Sequence, residues 1–451
     1  MLPNHTEVLI VGAGPTGLAA AVGLSQAGID HLLIDSLAEG QNSSRAAVVH
    51  AHTLEALATL GVADALQGKG VTLSRFAIRD RDRPLLELGF GNLPTAHSGL
   101  LMVPQCTTEA VLGDRLVELG GTIHRGVTAL EVREAAGGAE VRVGTADGEQ
   151  TIRARYVVAG DGMHSLVREA AGIAFEGEAY AESFILADVR TDWPLGAVEV
   201  SLFFSPDGML VVAPLPGGAF RIVATMEDAP RVPGVADIQR LLETRGPAGA
   251  GTVHEVIWGS RFRVQHRLAE RFRRGPFLLM GDAAHVHSPA GGQGMNTGLV
   301  DAVLLSQALA KVVRGEAPDG LLDLYAELRR PAAEQVLHLA GRLTKMAMLR
   351  SPMARFGRNL LLRILNRFGR FRRMMAMNLS GLGRRALAEL GGPPCAPPAA
   401  GKTLSRRSAA PARRAMPARA AQARSGSGNG VEPVSFSKGR RSNRESSHVA
   451  G

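Results

Sequence analysis

The first 35 residues contain the pattern that most restricts the fold of this chain. Residues 7–11, a glutamate followed by four apolar residues, run directly into three glycines spaced as G-x-G-x-x-G. An alanine-rich helical segment and a second apolar segment that ends at Asp35 follow. Strand, glycine loop, helix, strand and terminal acid form a Rossmann-type unit that binds a dinucleotide. We expect Gly12 to make the turn and Gly14 to admit a pyrophosphate. Gly17 is expected to pack the helix on the sheet, and Asp35 to accept hydrogen bonds from a ribose.

A second strand, glycine loop and helix lie within residues 277–313. Apolar residues 277–280 predict a short buried strand that turns through Gly281 and Asp282. A glycine-rich loop then leads to a helix expected over residues 295–313. The carboxylate, the bare glycine backbone and the positive helix N-terminus together suit a ligand with hydroxyl groups and delocalised negative charge, such as a flavin with its ribityl chain. The plain alternative is a structural corner between a strand and a helix.

Three further polar residues stand at turns where a ligand can bind. Asp161 follows a buried strand at residues 154–159, and open α/β sheets bind ligands at the carboxyl ends of such strands. Its alternative role is to cap the next helix. Gln105 stands at a helix entrance, where it either holds a flavin edge or caps the helix. Arg45 is expected to reach a pyrophosphate or an incoming nicotinamide nucleotide, unless it is an ordinary surface arginine.

The sequence pattern changes between residues 175 and 267. Apolar residues alternate with a period of two, and Asp-Gly and Gly-Gly turns separate the segments, which predicts an antiparallel sheet interrupted by one helix at residues 235–245. We expect one apolar face of this sheet to roof a ligand pocket, although each of its residues taken alone fits an ordinary core equally well. The residues expected on that face are Leu202, Phe204, Leu210 and Val212.

The predicted fold class is therefore α/β, with an antiparallel sheet inserted into a Rossmann-type domain and a helical region at the C-terminal end. The expected boundaries are 1–69, 99–174 and 268–332 for the nucleotide-binding domain, 70–98 and 175–267 for the substrate domain, 333–385 for the C-terminal helices, and 386–451 for a disordered basic tail.

The net charge of +9 belongs to the C-terminal part of the chain. From Gln335 onward there are 23 Lys and Arg against 3 Asp and Glu, which leaves 28 against 39 in the remainder. The basic tail lacks the interleaved aromatic residues of a stacking platform, so we expect no nucleic-acid partner.

Two cysteines, Cys106 and Cys395, make neither a metal motif nor a disulfide framework, and no signal peptide or membrane span is predicted. We therefore expect a cytoplasmic protein without a bound metal.

Residues 342–385 contain twelve Lys and Arg and no acidic residue. Within them an apolar stripe recurs at helical spacing, so that the segment predicts a basic amphipathic helix. Such a helix either makes weak contact with an anionic membrane surface or packs its stripe on its own domain, and we favour packing. The stripe consists of Leu360, Leu361, Ile364, Leu365 and Phe368.

The three glycine and aspartate motifs together resemble the class A, single-component flavoprotein monooxygenases, the aromatic hydroxylase family with the fold of para-hydroxybenzoate hydroxylase. The resemblance runs from about residue 8 to residue 383 and includes the motifs at residues 12–17, 156–168 and 281–296. It implies FAD as cofactor and NAD(P)H and dioxygen as co-substrates. It also implies hydroxylation of an aromatic or polyketide-like small molecule by a C4a-hydroperoxyflavin.

The resemblance also assigns roles to individual residues. It implies that Asp282 holds the ribityl chain and that Gly281 shapes this turn. Pro289 would line the oxygen-activation site. The residues implied to lie against the flavin ring are Gly294, Met295 and Asn296. The residues implied to contact FAD or NAD(P)H elsewhere are Arg45, Gln105 and Asp161.

Two positions depart from the family pattern. The family usually has Glu then Arg after the second strand, whereas this chain has Asp35 and Ser36, so ribose contact is expected with altered geometry. His52 stands where an arginine is usual, and for that reason a choice between NADH and NADPH does not follow. Two functional alternatives remain: an FAD-dependent dehydrogenase or reductase without oxygen insertion, and a membrane-associated quinone-pathway hydroxylase.

Overall fold

The computed structural model describes residues 2–40 and 46–391, without the side chains of residues 179–182 and 264. Arg45 and the tail beyond residue 391 lie outside the described residues. In chain order the strands are β1 (His5–Val11), β2 (His31–Asp35), β3 (Val48–His50), β4 (Val71–Leu73), β5 (Arg75–Asp80), β6 (Arg83–Gly89), β7 (Leu100–Met102), β8 (Ile123–Arg125), β9 (Thr128–Ala135), β10 (Gly138–Thr145), β11 (Gly148–Ala159), β12 (Phe175–Thr191), β13 (Glu199–Ser205), β14 (Gly208–Pro214), β15 (Phe220–Met226), β16 (Val253–Ala269), β17 (Arg273–Arg274), β18 (Phe277–Leu279) and β19 (His285–Val286).

The helices connect and cover these strands. They are α1 (Pro15–Gln26), α2 (Ala51–Ala58), α3 (Ala63–Lys69), α4 (Gln105–Glu118), α5 (Leu166–Ala170), α6 (Val235–Arg245), α7 (Gly294–Val313), α8 (Leu321–Ala347), α9 (Pro352–Leu365) and α10 (Gly369–Leu379), with 3-10 turns at Pro216–Gly218, Gly281–Ala283 and Leu382–Ala388. Helix α7 is apolar on nearly every side because it packs between α1 and α8 under the sheet, where 15 of its residues are buried.

The first large sheet has a parallel centre. Strands β18, β11, β1, β2 and β8 lie side by side in that order, all parallel, and a β9–β10 hairpin extends β11 in antiparallel pairing. The central strands are continuous apolar runs because helices cover both faces of a parallel sheet. This arrangement places the carboxyl ends of β1, β2, β11 and β18 at one end of the sheet. Gly12 and Gly160 directly follow β1 and β11, Asp35 is the last residue of β2, and Gly281 lies two residues after β18.

The second large sheet contains β19, β16, β12, β15, β14, β13, β5 and β6 in that order, and only the β13–β5 pair among them is parallel. The predicted α/β fold class with an inserted antiparallel sheet is confirmed. The two sheets lie in one compact unit, so the division into separate domains stays a prediction.

The predicted roof of the pocket is correct for Leu202 and wrong for Leu210 and Val212, whereas Phe204 lies on the same face as Leu202 but does not border the pocket. In the antiparallel β13–β14 register, Leu202 pairs with Val211, and Phe204 pairs with Met209. Paired residues share a face of the sheet, so Leu210 and Val212 point to the opposite side. There they pack in the core under α6.

Two expectations about the C-terminal region are corrected. Leu387 is buried against the main core within the last 3-10 turn, so the ordered fold continues past residue 385, where the tail was expected to begin. The expected packing of the apolar stripe was also wrong, because the body of the protein contacts a different side of α9, where Leu362 is buried. The stripe residues that are exposed are Leu360, Leu361, Ile364 and Phe368. Among the described residues, no helix is both long and apolar enough to span a membrane.

Candidate active site

The carboxyl ends of β1, β2, β11 and β18 open into one cavity of about 750 Å³. The glycine loop after β1 forms one end, and the face of the second sheet forms the other. Such a position, beyond the carboxyl ends of parallel strands, is where α/β sheets bind their ligands.

The three glycines of the first loop differ in what surrounds them. A Cβ at Gly12 would lie 2.3 Å from the carbonyl oxygen of Gly160, and Gly12 has a φ of +100°, so the tight turn requires glycine. A Cβ at Gly17 would lie 1.8 Å from the carbonyl oxygen of Gly12, which shows how closely α1 packs on the loop. No protein atom lies within 4 Å of the Cβ position at Gly14, which borders the cavity. Gly14 therefore leaves room for a ligand to approach the backbone.

Asp35 lines the cavity but already has partners in the protein. Its Oδ2 accepts a hydrogen bond of 2.6 Å from the N–H of Ala13, and its Oδ1 accepts one of 2.8 Å from the N–H of Leu37. Arg125, at the end of the neighbouring strand β8, lies 3.6 Å from Oδ1 and also borders the cavity. Asp35 thus holds the glycine loop after β1 in place, and Arg125 supplies a cation beside it at the border of the cavity.

Gln105 is the first residue of α4, and Pro104 is the helix cap. The side-chain oxygen of Gln105 accepts a hydrogen bond from the N–H of Ala46, and its amide donates to Glu109 at 2.9 Å. Burial raises the pKa of Glu109, although Gln105 and Arg125 oppose this effect. Gln105 therefore borders the cavity while anchoring the segment that follows residue 45.

Asp161 lies between the first turn of α5 and the cavity. Its Oδ2 accepts a hydrogen bond of 3.3 Å from the N–H of Val167 in the first turn of α5, while Ser165 is the helix cap itself. Its Oδ1 is buried without a partner among the described residues, and the residue borders the cavity. Burial raises the pKa of Asp161.

A buried ion network, which the sequence did not indicate, holds the turn at Gly281 and Asp282. Asp301 of α7 is fully buried and accepts hydrogen bonds from the N–H of Gly281, from His285 at 2.7 Å and from Arg329 at 2.7 Å. Burial alone would raise the pKa of Asp301, but the Arg329 charge and the His285 hydrogen bond outweigh it and keep the pKa below its usual range. Asp282 itself is exposed to the cavity.

Helix α7 begins at the cavity. Gly294 and Met295 form its first turn and border the cavity, as does Pro289, whose carbonyl accepts a hydrogen bond from Gly292. Asn296 does not border the cavity. Its side chain accepts from the N–H of His50 and donates to the carbonyls of Val48 and Gly292. The side chain of Asn296 thus ties the loop at residues 287–293 to β3, and the contact of Asn296 with the flavin ring stays a prediction.

Residues from the C-terminal region also hold the loop at residues 287–293 in place. The amide of Gln293 donates to the carbonyl of Leu379 at 2.8 Å, and Arg384 donates to the oxygen of that amide at 2.8 Å. His50 lies 3.0 Å from the carbonyl of Gly291, and burial lowers the pKa of His50 to about 4. These contacts join segments far apart in sequence, so no local pattern could have indicated them.

The far end of the cavity is mostly apolar. Strands β12 to β16 contribute one buried ion pair there, in which Arg221 binds both oxygens of Asp188 at 2.7 Å. The apolar residues that border this end are Phe76, Leu100, Met102, Leu186, Val200, Leu202, Val211, Ala213, Val223 and Phe262.

The structure brings most of the predicted site residues to one cavity. Those that border it are Gly12, Gly14, Asp35, Gln105, Asp161, Asp282, Pro289, Gly294 and Met295. Gly17, Gly281 and Asn296 lie behind its wall and support it. The open space at Gly14, the unpaired oxygen of Asp161 and the N-terminus of α7 at the cavity fit the pyrophosphate, hydroxyl groups and ring of FAD. Within the described residues no group of three or more His, Cys, Asp or Glu could hold a metal ion.

Comparison with known proteins agrees with this geometry. The family profile described as FAD binding domain matches residues 5–340. The chain is 36% identical over 353 residues to 6-methylpretetramide 4-monooxygenase of Streptomyces rimosus. The aligned region covers 77% of this chain and 63% of that protein. It is 37% identical over 338 residues to rifampicin monooxygenase of Streptomyces venezuelae, which covers 73% of this chain and 69% of that protein.

A solved structure shares nearly the whole described fold. The crystal structure of p-nitrophenol 4-monooxygenase from Pseudomonas putida superposes with a TM-score of 0.77 at 25% identity, covering 84% of this chain and 99% of that one. The chain thus spans less than two thirds of the first relative's length but matches this solved structure almost from end to end. The chain belongs to the FAD-binding family of the class A flavin-dependent aromatic monooxygenases.

Proposed function

We propose that this chain is an FAD-dependent monooxygenase that uses NAD(P)H and dioxygen to hydroxylate an aromatic or polyketide-like small molecule. The observation that carries the proposal is the continuity of the cavity, which runs from the glycine loop past the N-terminus of α7 to an apolar wall. A cofactor and a flat organic substrate can therefore meet in one enclosed space. The names of the relatives, which include a 6-methylpretetramide and a p-nitrophenol monooxygenase, support a substrate of this class.

Bound FAD would supply the chemistry, by accepting hydride from NAD(P)H and activating dioxygen. The protein residues bind, orient and exclude water. The N-terminus of α7 directs free N–H groups and a partial positive charge at the cavity, which favours negative charge on a ligand placed there. The apolar sheet face keeps water from the reacting atoms.

Each site residue has a proposed role within this function. Gly12 and Gly14 admit the pyrophosphate, and Asp35 orients the glycine loop beside the ribose. Asp282 accepts hydrogen bonds from the ribityl hydroxyls. The residues proposed to contact the ring and its oxygen-binding face are Pro289, Gly294 and Met295. The residues proposed to serve FAD or the incoming NAD(P)H are Arg45, Gln105 and Asp161. The role of Arg45 and the cytoplasmic location remain predictions from the sequence.

The alternative is a dehydrogenase or reductase that shares the cofactor site without inserting oxygen. Purified protein with FAD should be given NAD(P)H, ¹⁸O₂ and a panel of phenols and multi-ring aromatic polyketides. We expect at least one compound to accelerate NAD(P)H oxidation and oxygen uptake and to gain one ¹⁸O atom. A compound that is oxidised without gaining ¹⁸O would favour the dehydrogenase. Contact with a membrane surface is a separate proposal that does not depend on the flavin chemistry.

A further inference from the structure

Helix α9 has a large apolar face that nothing in the described part of the chain covers. Met353, Phe356, Leu360 and Ile364 follow one another at spacings of three and four residues and so form one ridge along the helix. Their side chains are 83%, 71%, 48% and 44% exposed. The outer face of α9 is defined as these four residues with Leu361 and Phe368.

The opposite side of α9 already serves the body of the protein. Leu362 is buried in the core around the cavity, and the guanidinium of Arg358 lies 4.5 Å from the ring centre of Phe204. A helix that packs on its own domain needs one apolar side and a polar opposite side. Because the side opposite Leu362 is apolar as well, the outer face is not required for the fold, and contiguous exposed apolar surface of this kind marks a binding surface.

Exposed arginines lie close to the outer face along the chain. They lie on α9, at the bend after it and on α10, and residues 342–385 contain no acidic side chain. Asp80 and Glu87 lie on the strands that pack against α9. Asp80 accepts a hydrogen bond from Asn359 and faces the buried Arg358, and the backbone N–H of Glu87 donates to Asn366. Glu227 pairs with Arg350 before the helix begins. The exposed arginines near the face are Arg363, Arg367, Arg370, Arg372 and Arg373.

We propose that the outer face of α9 docks on an anionic phospholipid surface, with the apolar ridge in the acyl boundary and the nearby arginines at the headgroups. A helix with large apolar side chains on one side and arginines beside them is the form that lies in the plane of a membrane interface. Each arginine near an anionic surface adds to the attraction, which salt screens.

The charge argues against the other occupants. A second copy of this chain would bring two sets of arginines together. Residues 392–451 contain eleven Lys and Arg against two Glu, so the chain's own tail would be repelled as well. An acidic protein partner would match the charge, but the outer face is a single convex ridge rather than a groove for a partner helix. A flat, deformable anionic surface fits both the charge and the shape.

Vesicle sedimentation tests the proposal on the full-length, FAD-loaded protein. Vesicles of equal parts phosphatidylglycerol and phosphatidylcholine are compared with pure phosphatidylcholine, at 50 and 500 mM NaCl. The test variant carries Phe356→Gln, Leu360→Gln and Ile364→Gln, which remove apolar surface but keep every charge. The matched control carries Val117→Gln, Val232→Gln and Ile257→Gln, three exposed apolar residues away from α9. The flavin absorbance spectrum shows that each variant is folded.

We expect the parent and the control to bind the anionic vesicles, and the α9 variant to bind about tenfold or more weakly. Phosphatidylcholine alone and high salt should each weaken binding of the parent by a similar factor. Equal binding of the α9 variant and the parent would mean that the basic tail alone adsorbs, and this would overturn the proposal. Two other results would also overturn the proposal. One is a dimer of the parent protein that the α9 substitutions dissociate, with no binding of the parent to vesicles. The other is binding of the parent to polyglutamate but not to vesicles.

Discussion

At the level of single residues, Asp35 shows what a motif can and cannot tell. The spacing placed an acid at the end of β2 correctly, because strand, loop and helix are contiguous in sequence. The side chain's partners did not follow from the motif, since Ala13 and Leu37 take both carboxylate oxygens. The larger omission was Asp301, whose partners His285 and Arg329 lie on different elements. Networks assembled by the fold from distant residues have no period that a sequence pattern reveals.

The Asp301 network gives the first prediction. Asp301→Asn leaves a single acceptor oxygen for three donors and removes the charge that compensates buried Arg329. Breaking one side of a buried ion pair costs about 3–5 kcal/mol, so we expect the free energy of unfolding in urea to fall by that order. Asp114→Asn, at an exposed position of α4, serves as control and should change little. An unchanged stability for Asp301→Asn would show that the network does not hold the turn at Gly281.

Buried histidines give the second prediction. Burial lowers the pKa of His50, His52 and His287 to about 4 each, against an ordinary value of 6.5. The unfolded chain therefore takes up protons between about pH 6.5 and 4 while the folded chain does not. Stability is fully present above pH 6.5 and is lost as pH falls through this window, by on the order of 1.4 kcal/mol per unit for each histidine.

The check is the free energy of unfolding at intervals from pH 7.5 to 4.5. His50→Gln should flatten the pH dependence, because one buried titrating group is removed. His164→Gln, at an exposed site, should leave it as in the parent protein. A stability that stays constant or rises as the protein is acidified from pH 6.5 would contradict the burial of neutral histidines.

At the level of elements, strands and helices were predicted well and their faces less well. Period-two patterns located β13, β14 and β15, but the face that lines the cavity depends on the register between strands. Because of that register, Val211 and Ala213 border the cavity, and not the predicted Leu210 and Val212. Similarly, the helical spacing of α9 was correct, yet spacing alone does not show which of two apolar sides meets the body of the protein.

The contact between α7 and the Gly281 turn gives the third prediction. A Cβ at Gly298 of α7 would lie 2.8 Å from Thr16 Oγ1 and 3.0 Å from the Cα of Gly281. We expect Gly298→Val to push α7 away from the turn and to weaken FAD binding and thermal stability together. Gly68→Ala, in α3 with nothing within 4 Å, is the control and should be neutral or slightly stabilising. Full FAD retention by Gly298→Val would show that this close approach is not needed.

At the level of the whole molecule, the C-terminal region closes the cavity from a distance in sequence. Hydrogen bonds of Gln293 and Arg384 join α10 and the last 3-10 turn to the loop at residues 287–293. Arg329 donates to the carbonyl of Leu387. The sequence correctly indicated helices in this region, but the predicted boundary at residue 385 falls inside the last 3-10 turn and was therefore too early. Leu387 is the only large apolar residue between positions 386 and 389, too little for a pattern.

Truncation gives the fourth prediction. A chain ending at Gly391 should keep its FAD and its thermal midpoint, since all the contacts above are retained. A chain ending at Arg385 should lose the packing of Leu387 and the acceptor for Arg329, and should melt at a lower temperature. Equal thermal midpoints for the two truncated chains would show that Leu387 and its contacts do not stabilise the fold. Loss of FAD from the longer chain would show that the residues beyond 391 contribute to FAD binding.

The proposed function requires that one cavity at the strand ends holds FAD through the turn at Asp282. The dissociation constant of FAD, measured by titrating the flavin-free protein, tests it most directly when the parent is compared with Asp282→Ala. Hydrogen bonds to an ionised acceptor contribute about 1.5–3 kcal/mol each, and a factor of ten corresponds to about 1.4 kcal/mol. We expect a loss of affinity of about tenfold to a few hundredfold. FAD bound as tightly by Asp282→Ala as by the parent would contradict it.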